Sequence, residues 1–133
     1  MAFVLDVSVT AVWALADESS PLAENASTRL KSEIALVPTI WWYEVRNLLV
    51  VNERRGRLTE DESAEFLDLL SSFPIRINPI ADEQATIGLA RQHRLSVYDA
   101  AYLALAKSER IPLATLDRAL EAAAKAEGVE IVV

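Results

Sequence analysis

Four acidic residues occupy positions where a carboxylate is costly unless something compensates its charge. Asp6 and Asp117 each directly follow a short apolar run. Asp99 opens an apolar, helix-like segment, and Glu44 is embedded in the most hydrophobic stretch of the chain. Carboxylates at strand ends or inside apolar segments need a compensating partner. If the four converge on one place they need a cation, which predicts metal-dependent chemistry.

The three aspartates also have a simpler explanation as helix caps. An Asp just before a helix accepts hydrogen bonds from free backbone N–H groups and complements the helix dipole. For any one of Asp6, Asp99 and Asp117 taken alone, we favour that interpretation. Glu44 does not fit it, because it lies about a turn inside a predicted helix, where a lone Glu could instead reach solvent or pair with Arg46.

The ligand chemistry of a joint site would be that of hard oxygen atoms. Clustered carboxylates raise one another's pKa unless a cation lies between them. Oxygen ligands without His or Cys favour Mg²⁺ or Mn²⁺ over zinc or copper. Such ions can activate a water and stabilise the leaving oxygen of a phosphodiester. Ser8 and Thr115, each two residues from an acid, could orient that water, or could simply cap a helix and end a strand.

The segments that must position these acids alternate between strand-like and helix-like patterns. Strands are predicted at 3–5, 34–37, 75–77 and 112–115, with an edge strand at 130–132, and helices at 9–15, 21–31, 39–55, 59–70, 82–93, 99–108 and 117–128. Within them, Thr39 is predicted to cap the third helix and Asp99 to begin the sixth. Short apolar strands separated by helices imply a mostly parallel sheet of four to five strands with helices on both faces. Ligands of such sheets lie at the carboxyl ends of the strands.

Composition narrows the class of protein. The 133 residues predict a single domain spanning 1–133, and no apolar run approaches the roughly 20 residues that cross a bilayer. The N-terminus lacks the basic region of a signal peptide, and the absence of cysteine excludes disulfides and fits a cytoplasmic protein. The net charge of −7 argues against a nucleic-acid partner. That argument is weaker if two divalent cations bind and offset part of the negative charge, and because basic residues cluster at 54–57 and 91–94.

Taken in order, the acid-bearing segments resemble the PIN-domain ribonucleases, and more narrowly the VapC toxins of toxin–antitoxin pairs. The resembling segments are Val4–Ser8, Glu44–Asn47, Ser96–Ala106 and Leu113–Asp117. No single segment is specific, but the ordered set covers essentially the whole chain. The resemblance implies a PIN-like three-layer α/β sandwich.

The resemblance also implies roles for individual residues and partners. Asp6, Glu44, Asp99 and Asp117 become the family's acidic quartet, catalytic and metal-binding, with Asp6 and Asp99 the most direct ligands of Mg²⁺ or Mn²⁺. Ser8, Asn47 and Thr115 match supporting polar positions. The implied function is a metal-dependent endoribonuclease with an RNA substrate, a VapB-like antitoxin and a homodimeric state. A non-catalytic interaction module on the same scaffold remains the alternative.

Other readings of the sequence are weaker. A receiver domain needs a phosphorylatable Asp after the third strand and a Lys after the fifth, and an aspartyl phosphatase needs a second Asp at position 8, which is Ser. The single His93 has no nucleophile elbow to serve, and three scattered glycines form no phosphate loop.

Adjacent Trp41 and Trp42 point in different directions on a helix. We favour two core tryptophans, with one exposed contact residue as the alternative.

Overall fold

The computed structural model describes residues 1–133 and contains four short strands and seven helices. The strands are β1 (Ala2–Leu5), β2 (Ile34–Pro38), β3 (Ile75–Asn78) and β4 (Leu113–Ala114). The helices are α1 (Val7–Ala14), α2 (Pro21–Arg29), α3 (Thr39–Arg54), α4 (Glu60–Ser71), α5 (Glu83–His93), α6 (Val97–Glu109) and α7 (Arg118–Ala126). None of the helices combines the length and the apolar sequence needed to span a bilayer.

The strands form one parallel sheet in the order β3-β2-β1-β4, which confirms the predicted α/β fold. Phe3, Val4 and Leu5 in β1 are completely buried between two neighbouring strands and the covering helices. A strand buried on both faces has no solvent side, which is why its sequence is continuously apolar. The predicted fifth strand is reduced to one parallel bridge between Leu113 and Ile131.

Two helices start differently from the sequence prediction. Thr39 is the first residue of α3 rather than its cap, because the extended backbone of Pro38 occupies the cap position without any side-chain hydrogen bond. Asp99 is the third residue of α6 rather than its start. Ser96 caps that helix, and its Oγ accepts a hydrogen bond from the Asp99 backbone N–H at 3.0 Å. Serine is a preferred capping residue for this reason.

Other boundaries agree with the capping signals in the sequence. At the start of α4, Thr59 Oγ1 accepts from the Glu62 backbone N–H at 3.1 Å, and Glu62 Oε1 accepts from the Thr59 backbone N–H at 2.9 Å. This is the reciprocal capping box expected from a Thr followed three residues later by Glu. Gly56 follows α3 with a φ of 74°, a left-handed conformation that glycine adopts without strain.

The prediction of two core tryptophans is wrong. Trp41 is buried, and its indole N–H donates to Thr10 Oγ1 at 3.1 Å, whereas 42% of Trp42 is exposed. The buried positions of α3 recur at Trp41, Val45 and Leu49, a spacing that turns only one face of the helix toward the core. The residue next to Trp41 is rotated away from that face.

Candidate active site

The proposed site lies where the chain leaves two neighbouring strands of the sheet. β1 pairs with β4 so that Leu5 is opposite Ala114, and the Asp6 backbone N–H donates to the Ala114 carbonyl at 3.0 Å. Asp6 follows β1 directly, and Asp117 follows β4 after two further residues. Their proximity therefore results from parallel pairing, as expected for the carboxyl edge of such a sheet.

Asp6 is a buried carboxylate without a cationic partner. Only 3% of it is exposed, and although it occupies the cap position of α1, its side chain accepts no capping hydrogen bond. Ser8 Oγ and Thr115 Oγ1 instead donate to Asp6 Oδ2 at 2.5 and 2.7 Å. Burial raises the pKa of Asp6, the Ser8 and Thr115 hydroxyls oppose that rise, and the nearby Asp99 charge adds to it. The helix-cap explanation therefore fails for this residue.

The two hydroxyls are themselves fixed by the turn after β4. Ser8 Oγ accepts from the Leu116 backbone N–H at 2.9 Å, and Thr115 Oγ1 accepts from the Asp117 backbone N–H at 3.0 Å. Ser8 reaches this turn from the first turn of α1, not from extended chain. Each hydroxyl oxygen thus accepts a hydrogen bond from a backbone N–H, and each hydroxyl donates its own hydrogen bond to Asp6. The two donated hydrogen bonds orient the carboxylate.

Glu44 faces the aspartates from the second turn of α3. Tyr102 Oη donates to Glu44 Oε1 at 2.5 Å from a completely buried position in α6. Partial burial raises the pKa of Glu44, the Tyr102 hydrogen bond lowers it, and the charges of Asp6 and Asp99 raise it again. Arg46 does not pair with Glu44, because its guanidinium lies over the Trp42 ring, 4.1 Å from the ring centre.

Asp99 and Asp117 have different local roles. Burial raises the pKa of Asp99, and the Asp117 charge raises it further. Asp117 is a true helix cap, since its Oδ1 accepts from the Leu120 backbone N–H at 2.9 Å. The electrostatic contacts therefore join all four acids, with Asp99 next to each of the other three. The four predicted acids are therefore electrostatic neighbours in the structure.

Asn47 is the predicted polar residue that the structure does not bring in. It lies about one turn after Glu44 on α3, where it is exposed and forms no side-chain hydrogen bond to any of the four acids. Glu44 is half-buried and Asn47 is exposed, although residues three apart are neighbours on a helix surface. Of the three supporting positions, only Ser8 and Thr115 contact an acid.

Tyr102 is a site residue that sequence reasoning did not identify. It fills the core, and burial, together with the Glu44 carboxylate that accepts its proton, raises the pKa of its phenol. A buried tyrosine must place its hydroxyl on a polar partner. Its position in α6, one turn after Asp99, was therefore a usable signal, because it puts the ring beside an acid.

The donor set fits a hard divalent cation. None of the six ion pairs in the protein includes one of the four acids, so no lysine, arginine or histidine neutralises them. No three His, Cys, Asp or Glu side chains are arranged to hold a metal ion as placed. Mg²⁺ keeps several waters and commonly takes only one or two protein carboxylates together with substrate phosphate, so it does not require three converging protein ligands. Mutual repulsion also keeps carboxylates apart when no cation compensates their charge.

Comparisons with known proteins agree with this geometry. A family model described as PIN domain matches residues 3–126. Ribonuclease VapC3 from Pyrobaculum aerophilum is 37% identical over 123 residues, which span 90% of this chain and 92% of that protein. The family model therefore covers the segments that carry all four acids.

Solved structures share the fold at lower identity. PAE2754 from Pyrobaculum aerophilum superposes with a TM-score of 0.75 at 22% identity, covering 99% of this chain and 90% of that chain. VapBC2 from Rickettsia felis, solved bound to a DNA fragment from its promoter, gives a TM-score of 0.64 at 14% identity. The superposition covers 98% of this chain and 97% of that chain. At these identities the likeness concerns the fold alone.

Proposed function

The chain belongs to the PIN-domain family, and from that premise we propose that residues 1–133 form one metal-dependent endoribonuclease domain acting as the toxin of a toxin–antitoxin pair. The 37% identity to Ribonuclease VapC3 supports the ribonuclease assignment. The observation that carries the metal dependence is the meeting of four acids with no protein cation among them. Nucleases of this family generally use divalent metals.

Asp6 and Asp99 are the proposed direct ligands of Mg²⁺ or Mn²⁺, with Glu44 and Asp117 completing the site. When bound, the cation supplies positive charge that activates a water and stabilises the leaving oxygen. Ser8 and Thr115 hold the Asp6 carboxylate in one orientation, and Tyr102 does the same for Glu44. These contacts fix the ligands before substrate arrives, so little reorganisation is needed during the reaction.

The proposed reaction is hydrolysis of an RNA phosphodiester. The water oxygen attacks phosphorus in line, the bond from phosphorus to the 3′ oxygen breaks, and that oxygen takes up a proton. The products carry a 5′ phosphate and a 3′ hydroxyl. Because water is the nucleophile, the 2′ hydroxyl of RNA has no chemical role, and preference for RNA comes from binding.

We also propose a VapB-like antitoxin partner and a homodimer for this chain. The solved VapBC2 complex supports the first, since a protein of this fold occurs there with its antitoxin. Trp42 is exposed, with the Arg46 guanidinium over its ring, and is a candidate contact residue for the antitoxin or for a second copy of this chain. Light scattering of the purified protein, alone and with the antitoxin, measures both states.

The test is incubation of purified protein with total cellular RNA, with Mg²⁺ or with chelator, followed by mapping of new 5′ ends. We expect fragments only with metal, and a loss of orders of magnitude in Asp99→Asn. Asp68→Asn, the same change on the exposed face of α4, is the matched control. Near-normal cleavage by Asp99→Asn at saturating Mg²⁺ would refute the assigned roles. Metal-independent RNA binding without cleavage would favour the interaction module.

A further inference from the structure

One hydrogen bond joins α1 to α3, and it lies about one helical turn from an acid on each helix. The Trp41 indole N–H donates to Thr10 Oγ1 at 3.1 Å. Thr10 is completely buried, and only 5% of Trp41 is exposed. No other hydrogen bond, from a side chain or from the backbone, links these two helices. This contact is therefore the single directional link between them.

α1 and α3 also pack against each other in the hydrophobic core, where Val9 and Val45 are completely buried. Apolar packing stabilises a pair of helices, but it is non-directional and does little to fix one helix along the other. A hydrogen bond weakens steeply when its angle departs from linearity. The hydrogen bond between Trp41 and Thr10 therefore fixes the relative position of α1 and α3.

The α1 end of this contact is tied to Asp6 through the backbone. The Thr10 N–H donates to the Asp6 carbonyl at 3.4 Å, and the Val9 N–H donates to the same carbonyl at 3.1 Å. These hydrogen bonds close the first turn of α1. Thr10 and Asp6 therefore belong to one turn of helix, and a displacement of Thr10 also displaces Asp6.

The α3 end of the contact is next to Glu44. Trp41 and Glu44 are three residues apart on α3, and residues at this spacing are neighbours on a helix surface. Tyr102 Oη on α6 donates to Glu44 Oε1. One turn of α3 is thus held by two hydrogen bonds, from α1 through Trp41 and from α6 through Glu44, which leaves it little freedom to slide or rotate.

The spacing of these two acids matters for the proposed cation. Asp6 and Glu44 are close enough for the charge of Asp6 to raise the pKa of Glu44. Mg²⁺ requires near-octahedral geometry with oxygen ligands at about 2.0–2.1 Å. A helix displaced by less than the rise of one residue, about 1.5 Å, would already break such geometry.

We propose that the hydrogen bond between Thr10 and Trp41 sets the spacing between Asp6 and Glu44, which makes Thr10 and Trp41 positioning residues of the proposed metal site. The inference rests on the proposed metal-dependent function and names two residues that support it. Both residues are buried, so each acts through the acid about one turn away on its own helix.

The experiment measures metal binding without relying on activity. The rise in Tm is followed as Mg²⁺ is titrated, which gives the Mg²⁺ concentration at half saturation. Thr10→Val keeps the shape of the side chain and removes the acceptor, and we expect it to increase this concentration about 10-fold. That is the lower end of the range of about 10–100-fold for groups that orient metal ligands. Thr10→Ser, which keeps the hydroxyl, should restore the wild-type value.

Trp41→Phe and Trp13→Phe form a matched pair of variants. Each removes an indole N–H, but the Trp13 indole joins α1 to α2, where it donates to the Ala23 carbonyl at 2.8 Å. Trp41→Phe should weaken Mg²⁺ binding as Thr10→Val does, whereas Trp13→Phe should lower Tm without changing the Mg²⁺ concentration at half saturation. The effects of Thr10→Val and Trp41→Phe should not add in the double variant, because both remove the same contact.

Calcium distinguishes positioning from a general loosening of the protein. Ca²⁺ accepts oxygen ligands at about 2.3–2.6 Å in flexible geometry, which Mg²⁺ does not. Thr10→Val should therefore weaken Mg²⁺ binding more than Ca²⁺ binding. Equal weakening of both ions would contradict the positioning role.

Two further outcomes would overturn the inference. One is an unchanged Mg²⁺ concentration at half saturation in both Thr10→Val and Trp41→Phe, and the proposed function then stands if the wild type still cleaves RNA in Mg²⁺. The other is an equal increase in Trp13→Phe, because any loss of helix packing would then suffice. A wild type that is neither stabilised by Mg²⁺ nor able to cleave RNA removes both proposals.

Discussion

Tyr102→Phe tests whether the buried phenol positions Glu44. The substitution keeps the ring that fills the core and removes only the hydroxyl, which donates to Glu44 Oε1 at 2.5 Å. A hydrogen bond to a charged group contributes about 1.5–3 kcal/mol to stability. Glu44 is only half-buried, so water replaces part of that contribution, and we expect a loss of about 1–2 kcal/mol. For a chain of this size that lowers Tm by about 3–10 °C.

The same change has a second consequence in the pH dependence of cleavage. Burial and the neighbouring acids raise the pKa of Glu44, and the Tyr102 hydrogen bond is the contact that opposes them. Without it the pKa of Glu44 rises further, so the ionised form appears only at higher pH. The acid limb of the kcat/KM profile should therefore move upward in pH, a shift that loss of stability alone does not produce.

Thermal unfolding and the pH profile of RNA cleavage measure the two effects. Tyr43→Phe is the matched control for the stability measurement, because it deletes a hydroxyl that is exposed and unbonded. A Tyr102→Phe protein with wild-type Tm and an unmoved acid limb would refute the positioning role. A lower Tm with an unmoved limb would leave Tyr102 a purely structural residue.

Three further perturbations probe the acids themselves. Mg²⁺ should raise the Tm of the wild type but not that of Asp99→Asn, since only the intact cluster binds the ion more tightly when folded. In chelator, the folded-state pKa of Asp6 is raised above its ordinary 3.8, so the folded protein holds a proton that the unfolded chain has released. The contribution of Asp6 to the free energy of unfolding therefore falls as pH rises from its unfolded-state pKa to its folded-state pKa. Urea titrations of the wild type and of Asp6→Asn should diverge over that pH range. Thr115→Val should lower the free energy of unfolding by about 1.5–3 kcal/mol, because it removes a buried donor to Asp6, and Thr115→Ser should recover much of that loss. Equal stability of the two variants would contradict the hydrogen-bond network.

The sequence predicted the fold well because its strongest signals are local. The buried strand Phe3–Leu5 and the Thr59–Glu62 capping box are each readable within a few residues, and both occur in the structure. Errors arose where two local signals competed. At the start of α6, Ser96 and Asp99 can both cap a helix, and only the three-dimensional structure shows that the serine does so.

The site was less predictable, because its contacts join distant parts of the chain. Parallel pairing of β1 with β4 could be inferred, and with it the approach of Asp6 to Asp117. The direction of side chains on helices could not. Asn47 lies three residues after Glu44 on α3 yet is exposed and contacts none of the acids. The partner of Glu44 is Tyr102, 58 residues later in the sequence.

The hydrogen bond from Thr115 to Asp6 spans 109 positions of sequence, and this separation affects when activity can arise during synthesis. A nascent chain that has reached only α6 already contains Asp6, Glu44 and Asp99, but it lacks β4 and the hydroxyl that fixes the first of them. Translation proceeds at about 5–20 residues per second, so roughly 5–22 seconds separate the synthesis of Asp6 from that of Thr115, 109 positions later. The Asp6 carboxylate therefore cannot take its final orientation until β4 and Thr115 have been translated.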